Sequence, residues 1–354
     1  MRLAIAALLL LATPVAAEQP RADARAVAAV VAASKINLVG DVLTSKGDKV
    51  FFRSEIRAFR STESKTHLWR WASVTKQVIA TLVMQQVAAG RIDLDAPLST
   101  YLPGFTSANA RLITVRQLLR HQSGLPNPDD TAATAESVPA YYAPGFSGSR
   151  DPLTGYCAGP VKAAPGGNWA YNNCDYIVAG ALLGAVTGKS WQTLVQERIV
   201  KPLHLRSLAA FPTTEVLVPG EIDGKPETGY DIAAFGASAG LYGSVGDLWR
   251  FDRALMTGKL LPDTARAQLW DGQPRLGSIA LGQWAFSARL KGCAGPVRII
   301  ERRGAIGGIE VRNFILPDND VVAIMFVKSA GFDFGEVWQG KGVSFDLLSA
   351  AACT

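Results

Sequence analysis

Ser73 and Lys76 mark the one place in this 354-residue chain where a lysine follows a serine by three residues. On a helix, positions i and i+3 share a face, so the hydroxyl and the amine would lie side by side. A serine attacks an acyl carbon at neutral pH only if a base takes its proton, and a lysine whose pKa is lowered by burial or by a nearby cation can be that base. The apolar run from Val74 to Ala89 predicts a helix whose N-terminal dipole favours negative charge on the serine oxygen. The pair therefore indicates acyl transfer, and the alternative is a capping serine beside a solvated lysine.

Tyr171 and Asn173 supply a second pair of functional groups, just after the loop residues 165–167. A tyrosine can pass protons if a nearby lysine cation lowers its pKa. An asparagine two residues later can donate a hydrogen bond to a substrate carbonyl and hold the lysine. Tyrosine and asparagine are also ordinary loop residues, so this tripeptide taken singly is a weak signal.

The elements that must position these groups are strands at both ends of the chain with helices between them. A stretch rich in proline, glycine and serine, residues 126–170, is predicted to be irregular, and Thr114 with Gln117 predicts a capping box that opens a short helix. Hydrophobic periodicity predicts a hairpin over 37–55, antiparallel strands near 284–290, 297–303, 310–316 and 321–328, and helices near 24–34, 74–89, 176–186, 191–199, 248–256 and 345–352.

Residues 1–17 match a secretory signal peptide, with a charged start at Arg2, an apolar stretch to Val15 and small residues before a cleavage site after Ala17. The apolar stretch is short for a bilayer-spanning helix. We therefore expect cleavage and an exported protein, periplasmic or secreted, with no integral membrane segment in the mature chain. An uncleaved anchor is the alternative.

Four cysteines, an even number, are consistent with disulfides in an exported protein. Three pairings are possible, and we favour Cys157 with Cys174, which closes a short loop; Cys293 with Cys353 would then tie the end of the chain to a strand. Four buried free thiols are the alternative. No Cys-x-x-Cys spacing occurs, which argues against a structural zinc site.

Charge and histidine content argue against other classes of function. The 36 basic and 30 acidic residues are scattered, so we expect no nucleic-acid partner. His67, His121 and His204 have no metal-ligand spacing, and no phosphate-binding glycine loop is present, so we expect neither a metal nor a cofactor. We expect His121 to be a structural histidine that holds a loop.

A Gly-x-Ser-x-Gly pattern at residues 236–240 is a second nucleophile motif to consider. That motif requires a strand before it, a helix after it and a histidine later in the chain. The last histidine is His204, so we do not expect Ser238 to be a nucleophile.

Five stretches of the chain, in order, carry a family resemblance: Trp71–Lys76, Gly90–Asp95 followed by Tyr101–Pro103, Ile113–Pro126, Tyr171–Asn173, and Ala239–Ser244 with Asp247. Together, they resemble the serine β-lactamase and penicillin-recognising hydrolase superfamily on its class C side, which includes D,D-carboxypeptidases, D-amino-acid peptidases and esterases. The resemblance implies that Ser73 forms an acyl-enzyme, that Lys76 and Tyr171 share the proton transfers, and that Asn173 supports both. Which of Lys76 and Tyr171 is the base is not decided by sequence.

The third motif departs from the family, because Arg302 stands where Lys-Thr-Gly or His-x-Gly is usual. The resemblance implies that Gly304 lets a substrate lie against the strand, and that the N–H groups of Ala305 and Ser73 form an oxyanion hole in which one donor is worth about 3–4 kcal/mol. Arg302 retains a positive charge at this position and can bind a carboxylate with two parallel hydrogen bonds, but it cannot relay protons. The alternative is that Arg302 and Arg303 are surface residues paired with Glu301 or Glu310.

We therefore predict an α+β, β-lactamase/transpeptidase-like fold, in which an antiparallel sheet flanked by helices joins a mostly helical lobe. Residues 18–354 would form a single domain, with an α/β lobe at 18–90 and 230–354 and a helical lobe at 91–229. The predicted function is that of a monomeric serine hydrolase, a peptidase or esterase, that cleaves an amide or ester bond in a small-molecule or peptidoglycan-peptide-like substrate. The alternatives are a catalytically impaired binding or scaffold protein on the same fold and a true class C-type β-lactamase.

Overall fold

The computed structural model describes residues 23–56 and 66–353. The predicted signal peptide and the polar segment at 61–64 lie outside the described residues. No helix within the described residues is long and apolar enough to cross a membrane. The α-helices are α1 (Ala24–Ser34), α2 (Thr75–Ala88), α3 (Val115–Leu119), α4 (Asn173–Thr187), α5 (Trp191–Val195), α6 (Lys201–Leu203), α7 (Val245–Met256), α8 (Asp263–Leu269) and α9 (Val343–Ala352). The strands are β1 (Gly40–Lys46), β2 (Lys49–Ser54), β3 (Trp69–Arg70), β4 (Ala209–Ala210), β5 (Glu221–Ile222), β6 (Lys225–Pro226), β7 (Leu241–Gly243), β8 (Trp284–Arg289), β9 (Pro296–Ile306), β10 (Ile309–Leu316) and β11 (Val321–Val327).

The main sheet has six antiparallel strands in the order β2-β1-β11-β10-β9-β8. It joins the early hairpin to the strands of the last quarter, because β1 pairs with β11 from Gly40 opposite Val327 to Lys46 opposite Val321. All seven residues of β11 are buried, as expected for a central strand with both faces covered. The α+β fold class predicted from the sequence is confirmed.

Helices cover both faces of this sheet. Alternate side chains of a strand point to opposite faces, so neighbouring residues of β11 belong to different cores. Met325 packs with Val27 of α1 and Leu347 of α9 on one face. Ile324 belongs to the larger core on the other face, which includes Val78 of α2. The helix that follows Ser73 is therefore buried against the sheet.

Two helices differ in their boundaries from those predicted by the local sequence pattern. We predicted a helix from residue 176, but α4 starts at Asn173, because the side chain of Asn172 accepts a hydrogen bond from the Cys174 N–H at 2.8 Å and caps the helix. The helix predicted over 191–199 is present but ends later, because α5, a π-helical turn at Gln196–Val200 and α6 follow one another without a break.

Both favoured disulfides are confirmed, Cys157–Cys174 and Cys293–Cys353. The first ties the irregular stretch to the first turn of α4, immediately after Tyr171. The second ties the residue after α9 to the loop that follows β8. The irregular stretch contains three short 3-10 turns and neither an α-helix nor a strand over residues 126–170, as predicted. The lobe boundaries at residues 90 and 230 stay a prediction.

Candidate active site

Ser73 lies in a 3-10 turn, Ala72–Val74, directly before α2. The residue before it, Ala72, has φ of 46°, a left-handed conformation that a residue with a Cβ adopts only at a cost of about 1–3 kcal/mol. Such a conformation persists only when the surrounding structure enforces it. The backbone that presents the Ser73 hydroxyl is therefore held by its neighbours and not by local preference.

The free edge of β9 is one of those neighbours. β8 pairs with β9 only as far as Glu301, so residues 302–306 have no strand partner on that side. A Cβ at Gly304 would lie 2.7 Å from the Trp71 carbonyl oxygen and 3.1 Å from the Ser73 nitrogen. Gly304 is thus required by the close approach of the nucleophile turn, a reason that differs from the substrate contact predicted above. Ala305, the next residue, is exposed.

Lys76 is fully buried and its amine has four polar neighbours. It lies 3.2 Å from Ser73 Oγ, 2.7 Å from Tyr171 Oη, 2.6 Å from Asn173 Oδ1 and 3.0 Å from the Ser238 carbonyl oxygen. The last two atoms can only accept hydrogen bonds. A neutral amine satisfies both with its two hydrogens, and its lone pair is then free to accept a proton from a hydroxyl.

Tyr171 stands between the serine and the lysine. Its hydroxyl lies 2.6 Å from Ser73 Oγ and 3.3 Å from Asn173 Oδ1, and its backbone carbonyl accepts a hydrogen bond from Asn127. It precedes the capping residue of α4, so the helix start positions both Tyr171 and Asn173. The structure therefore brings together the four side chains that the first two motifs predicted.

Asn173 has both amide hydrogens engaged. Its Nδ2 donates to Asp129 Oδ1 at 3.0 Å and to Tyr142 Oη at 2.8 Å. Its Oδ1 holds Lys76, as predicted, but a hydrogen bond from Nδ2 to a substrate carbonyl requires one of these two partners to leave. Asp129 is exposed, so the structure places a carboxylate at the mouth of the site that the sequence analysis did not identify.

Arg302 is buried, with 2% of its surface exposed, and the alternative of a surface residue is wrong. Its Nε donates to the Ser73 carbonyl oxygen at 2.8 Å, and its Nη2 lies 3.4 Å from Tyr171 Oη. The guanidinium packs 5.4 Å from the centre of the Trp284 ring and 5.7 Å from that of Tyr171, which are cation–π distances. Its Nη1 has no hydrogen-bond partner among the described residues.

Arg303 faces away from this centre. It forms ion pairs with Glu301 at 2.6 Å and with Glu336 at 2.5 Å. The pairing with Glu301 is the one named in the alternative above, whereas Glu310 instead accepts a hydrogen bond from the Gly331 N–H. The two adjacent arginines therefore have different surroundings.

The electrostatics of the site separate the two proton-transfer candidates. Burial and then the Arg302 cation hold the pKa of Lys76 well below its usual value, and the charge of Asp129 opposes them. Burial raises the pKa of Tyr171, although Arg302 and the Ser73 hydroxyl partly oppose it. These directions favour a neutral lysine and a protonated tyrosine. The sequence prediction of a tyrosine activated by a lysine cation is not supported.

His121 holds the loop behind Tyr171. Its Nδ1 lies 2.9 Å from Asp175 Oδ2 and 3.3 Å from the Asn172 backbone nitrogen, and its ring centre is 4.8 Å from that of Tyr171. Burial is the main cause that lowers the pKa of His121 well below its usual value. The geometry is that of a structural support for the site.

Ser238 enters the site through its backbone. Its hydroxyl donates to the Phe235 carbonyl oxygen at 2.7 Å, while its own carbonyl accepts from Lys76. The Gly-x-Ser-x-Gly pattern thus contributes an acceptor for the lysine. No signal in the sequence pointed to this role, because backbone acceptors carry no residue-type signature.

Comparisons with known proteins agree with this architecture. The family model described as Beta-lactamase matches residues 25–340, and the chain belongs to that family. It is 26% identical over 281 residues to the D-alanyl-D-alanine-carboxypeptidase/endopeptidase AmpH of Escherichia coli (strain K12), covering 73% of this chain and 70% of that protein. It is 30% identical over 214 residues to penicillin-binding protein 4 of Amycolatopsis lactamdurans, covering 55% of this chain and 52% of that protein.

A solved structure extends the similarity to nearly the whole chain. The D-stereospecific amidohydrolase from Streptomyces sp. superposes with a TM-score of 0.73 at 25% identity, covering 94% of this chain and 99% of that one. By contrast, the chain spans about half the length of the penicillin-binding relatives that it matches, 54% and 52%. The chain therefore belongs to a family whose members include proteins named as a carboxypeptidase/endopeptidase and an amidohydrolase.

Proposed function

We propose that this protein cleaves amide or ester bonds through an acyl-enzyme on Ser73. The observation that carries the proposal is the cluster in which Ser73 Oγ, Tyr171 Oη and Lys76 Nζ lie within 2.6–3.2 Å of one another. The distances are those of direct proton transfer between heavy atoms. The buried amine is the base that a serine nucleophile needs.

In the proposed acylation step, Lys76 takes the proton of Ser73 as Oγ bonds to the substrate carbonyl carbon. The tetrahedral oxyanion is bound by the backbone N–H groups of Ser73 and Ala305, and one such donor is worth about 3–4 kcal/mol. Tyr171, kept protonated by burial, gives its proton to the leaving nitrogen or oxygen and regains one from Lys76. Water then hydrolyses the acyl-serine by the reverse proton path.

The proposed substrates are D-configured amides or peptides, with esters cleaved by the same steps. The names of two relatives support this class, because one is a D-alanyl-D-alanine-carboxypeptidase and the other a D-stereospecific amidohydrolase. The Arg302 cation beside Tyr171 supports a carboxylate or carbonyl group on the substrate. Two disulfides support the further proposal that the protein works in an oxidising compartment after export.

The test is active-site labelling with a fluorophosphonate and with a fluorescent penicillin, followed by mass spectrometry of the modified peptide. We expect an adduct on Ser73 in the wild type and none in Ser73→Ala, whose melting temperature stays within about 1 °C because only one oxygen is lost and Lys76 and Tyr171 keep their hydrogen bond to each other. Folded wild-type protein that neither probe labels would favour the binding or scaffold alternative.

Substrate class is then decided with a panel of D-alanyl peptides, D-amino-acid amides, p-nitrophenyl esters and nitrocefin. Turnover of the peptides or amides supports the proposal. Turnover of nitrocefin alone would instead assign a true β-lactamase. Turnover that persists in Ser73→Ala would remove Ser73 from the mechanism.

A further inference from the structure

Asp129 places a carboxylate one side chain away from the reacting groups. Its Oδ1 accepts a hydrogen bond from Asn173 Nδ2 at 3.0 Å, and Asn173 Oδ1 lies 2.6 Å from Lys76 Nζ and 3.3 Å from Tyr171 Oη. One amide group therefore separates Asp129 from Lys76, so the carboxylate lies no more than about 8 Å from the amine.

The turn that carries Asp129 is fixed to the catalytic segment. Asn127 caps this 3-10 turn by accepting a hydrogen bond from the Asp129 N–H. The Nδ2 of Asn127 donates to the Tyr171 carbonyl oxygen at 3.2 Å, and its Oδ1 accepts from the Asn173 N–H at 3.2 Å. Its backbone carbonyl accepts a third hydrogen bond, from Tyr156 Oη at 3.0 Å. Asp129 is therefore held in one position relative to Tyr171 and Asn173, and little ordering is needed when a ligand binds it.

The carboxylate is open to solvent and lacks a cation of its own. Asp129 is exposed, and no ion pair within the described residues involves it, whereas its neighbour Asp130 is paired with Lys162. Burial and then the charge of Asp129 raise the pKa of Tyr142 and of Tyr156, so the carboxylate lies among the side chains of the site. A fixed carboxylate of this kind can bind a positively charged group by a charge-assisted hydrogen bond.

Asp129 also changes what Asn173 offers to a substrate. We expected Asn173 to donate a hydrogen bond to a substrate carbonyl, but its two amide hydrogens are engaged by Asp129 and by Tyr142. The group presented at this position is then a carboxylate, which only accepts hydrogen bonds. A substrate that matches it carries a donor, and a charged donor gains most because the acceptor is also charged.

The position of Asp129 relates it to the acyl part of the substrate. In the proposed function, Tyr171 faces the leaving atom, whereas Asp129 joins the cluster through Asn173, whose Oδ1 is closer to Lys76 than to Tyr171. A nitrogen on the α-carbon lies about 2.5 Å from the carbonyl carbon, and a charge-assisted hydrogen bond adds about 2.8 Å. An α-amino group thus reaches about 5 Å from the reacting carbon, which is the scale on which Asp129, Asn173 and Lys76 are arranged.

We propose that Asp129 binds a positively charged α-amino group on the acyl part of the substrate. The substrate is then an amide, peptide or ester of an amino acid whose α-amine is free, and compounds in which this amine is acylated or absent are poor substrates. The inference rests on the proposed acyl-transfer function, because that function defines the acyl part. It narrows the substrate class of the same site.

The kinetic test compares D-alanine p-nitroanilide with D-lactic acid p-nitroanilide. The leaving group and the configuration are the same and the sizes are similar, but a neutral hydroxyl replaces the ammonium group. The assay is run at about pH 6.5, where an α-amine with a pKa of about 8 is protonated. We expect Asp129→Asn to lower the ratio of the two kcat/KM values about tenfold, the low end for a hydrogen bond to a charged group, because Asp129 is exposed.

Two features of the design isolate the contact with the substrate. Each ratio is taken within one variant, so the effect of Asp129 on the protonation of Lys76 cancels. Asp130→Asn is the matched control, because it removes the adjacent exposed carboxylate, which is paired with Lys162, and it should leave the ratio unchanged.

A binding test separates this inference from the proposed function. NMR titration of the Ser73→Ala protein with D-alaninamide and with D-lactamide needs no turnover. We expect D-alaninamide to bind at least about fivefold more tightly, and this preference to disappear when Asp129→Asn is added. The inference is overturned if D-alaninamide binds no more tightly than D-lactamide, or if the kcat/KM ratio is equal in the wild type and Asp129→Asn. Failure of Ser73 labelling overturns the proposed function alone, and the titration then decides whether Asp129 binds an ammonium group.

Discussion

Replacing Arg302 by glutamine should leave less of Lys76 in the neutral form that can take a proton, and the size of the effect follows from the geometry. Both groups contact Tyr171 Oη, at 2.7 and 3.4 Å, so the amine and the guanidinium lie no more than about 6 Å apart. Two unit charges at that separation repel by about 3 kcal/mol at an effective dielectric constant of ~20. Because about 1.4 kcal/mol changes a protonation equilibrium tenfold, the neutral fraction of Lys76 should fall about a hundredfold on the acid side of its titration.

The sign of the pH effect is fixed by the same argument. Arg302 lowers the pKa of Lys76, so the neutral amine persists to lower pH in the wild type. Arg302→Gln raises that pKa, and the acid limb of kcat/KM should move to higher pH while the rate recovers in alkali. The assay is kcat/KM against pH with the best substrate from the panel, at constant ionic strength.

Arg302→Lys is the matched control, because it keeps a positive charge but loses the planar guanidinium that donates a hydrogen bond to the Ser73 carbonyl oxygen. We expect its acid limb to stay close to that of the wild type, even if its maximal rate is lower. If the acid limb stays in place in Arg302→Gln, the electrostatic reasoning is refuted. If it moves equally in both variants, the hydrogen bond to Ser73 and not the charge is responsible.

Two further predictions concern the two sides of the site. Asp129→Asn removes a negative charge that raises the pKa of Lys76, so the acid limb of kcat/KM should move to lower pH. The shift should be smaller than that of Arg302→Gln and should shrink at high ionic strength, because Asp129 is exposed and salt screens its charge. Measurement of kcat/KM against pH at low and high ionic strength tests this. Gly304→Ala forces a Cβ to within 2.7 Å of the nucleophile turn, so kcat/KM should fall at least about tenfold and stability by about 1–3 kcal/mol. Gly295→Ala on the same hairpin, where a Cβ meets nothing within 4 Å, should change neither, and an equal loss in both variants would contradict the packing argument that places Ser73.

Much of the fold could be predicted from local patterns. The hairpin at residues 37–55 and the antiparallel strands of the last quarter follow from period-2 alternation and turn residues, and the structure has them as β1, β2 and β8 to β11. The capping box at Thr114 with Gln117 was also predicted and is present. In each case the signal and the structure it specifies lie within a few residues of each other.

The contacts that tune the site could not be predicted in this way. The Ser238 carbonyl reaches Lys76 from 162 residues away, at the end of a 3-10 segment in which Gly236 adopts φ of 50°. Asp129 meets Asn173 from within an irregular stretch without periodicity. Such contacts depend on how loops pack against the finished core. Sequence motifs predicted which side chains lie together but not the charges around them.

The arginine in the third motif has a consistent physical explanation. A buried cation without a carboxylate partner is costly, and here Arg302 is stabilised by the Ser73 carbonyl and by the rings of Tyr171 and Trp284. A guanidinium stays charged throughout the working pH range, whereas a histidine, or a lysine perturbed by burial, can lose its charge. It therefore disfavours the protonated form of Lys76. On this account the departure from the usual motif is compatible with turnover, because the residue at this position needs to remain a cation beside Lys76 and does not need to titrate.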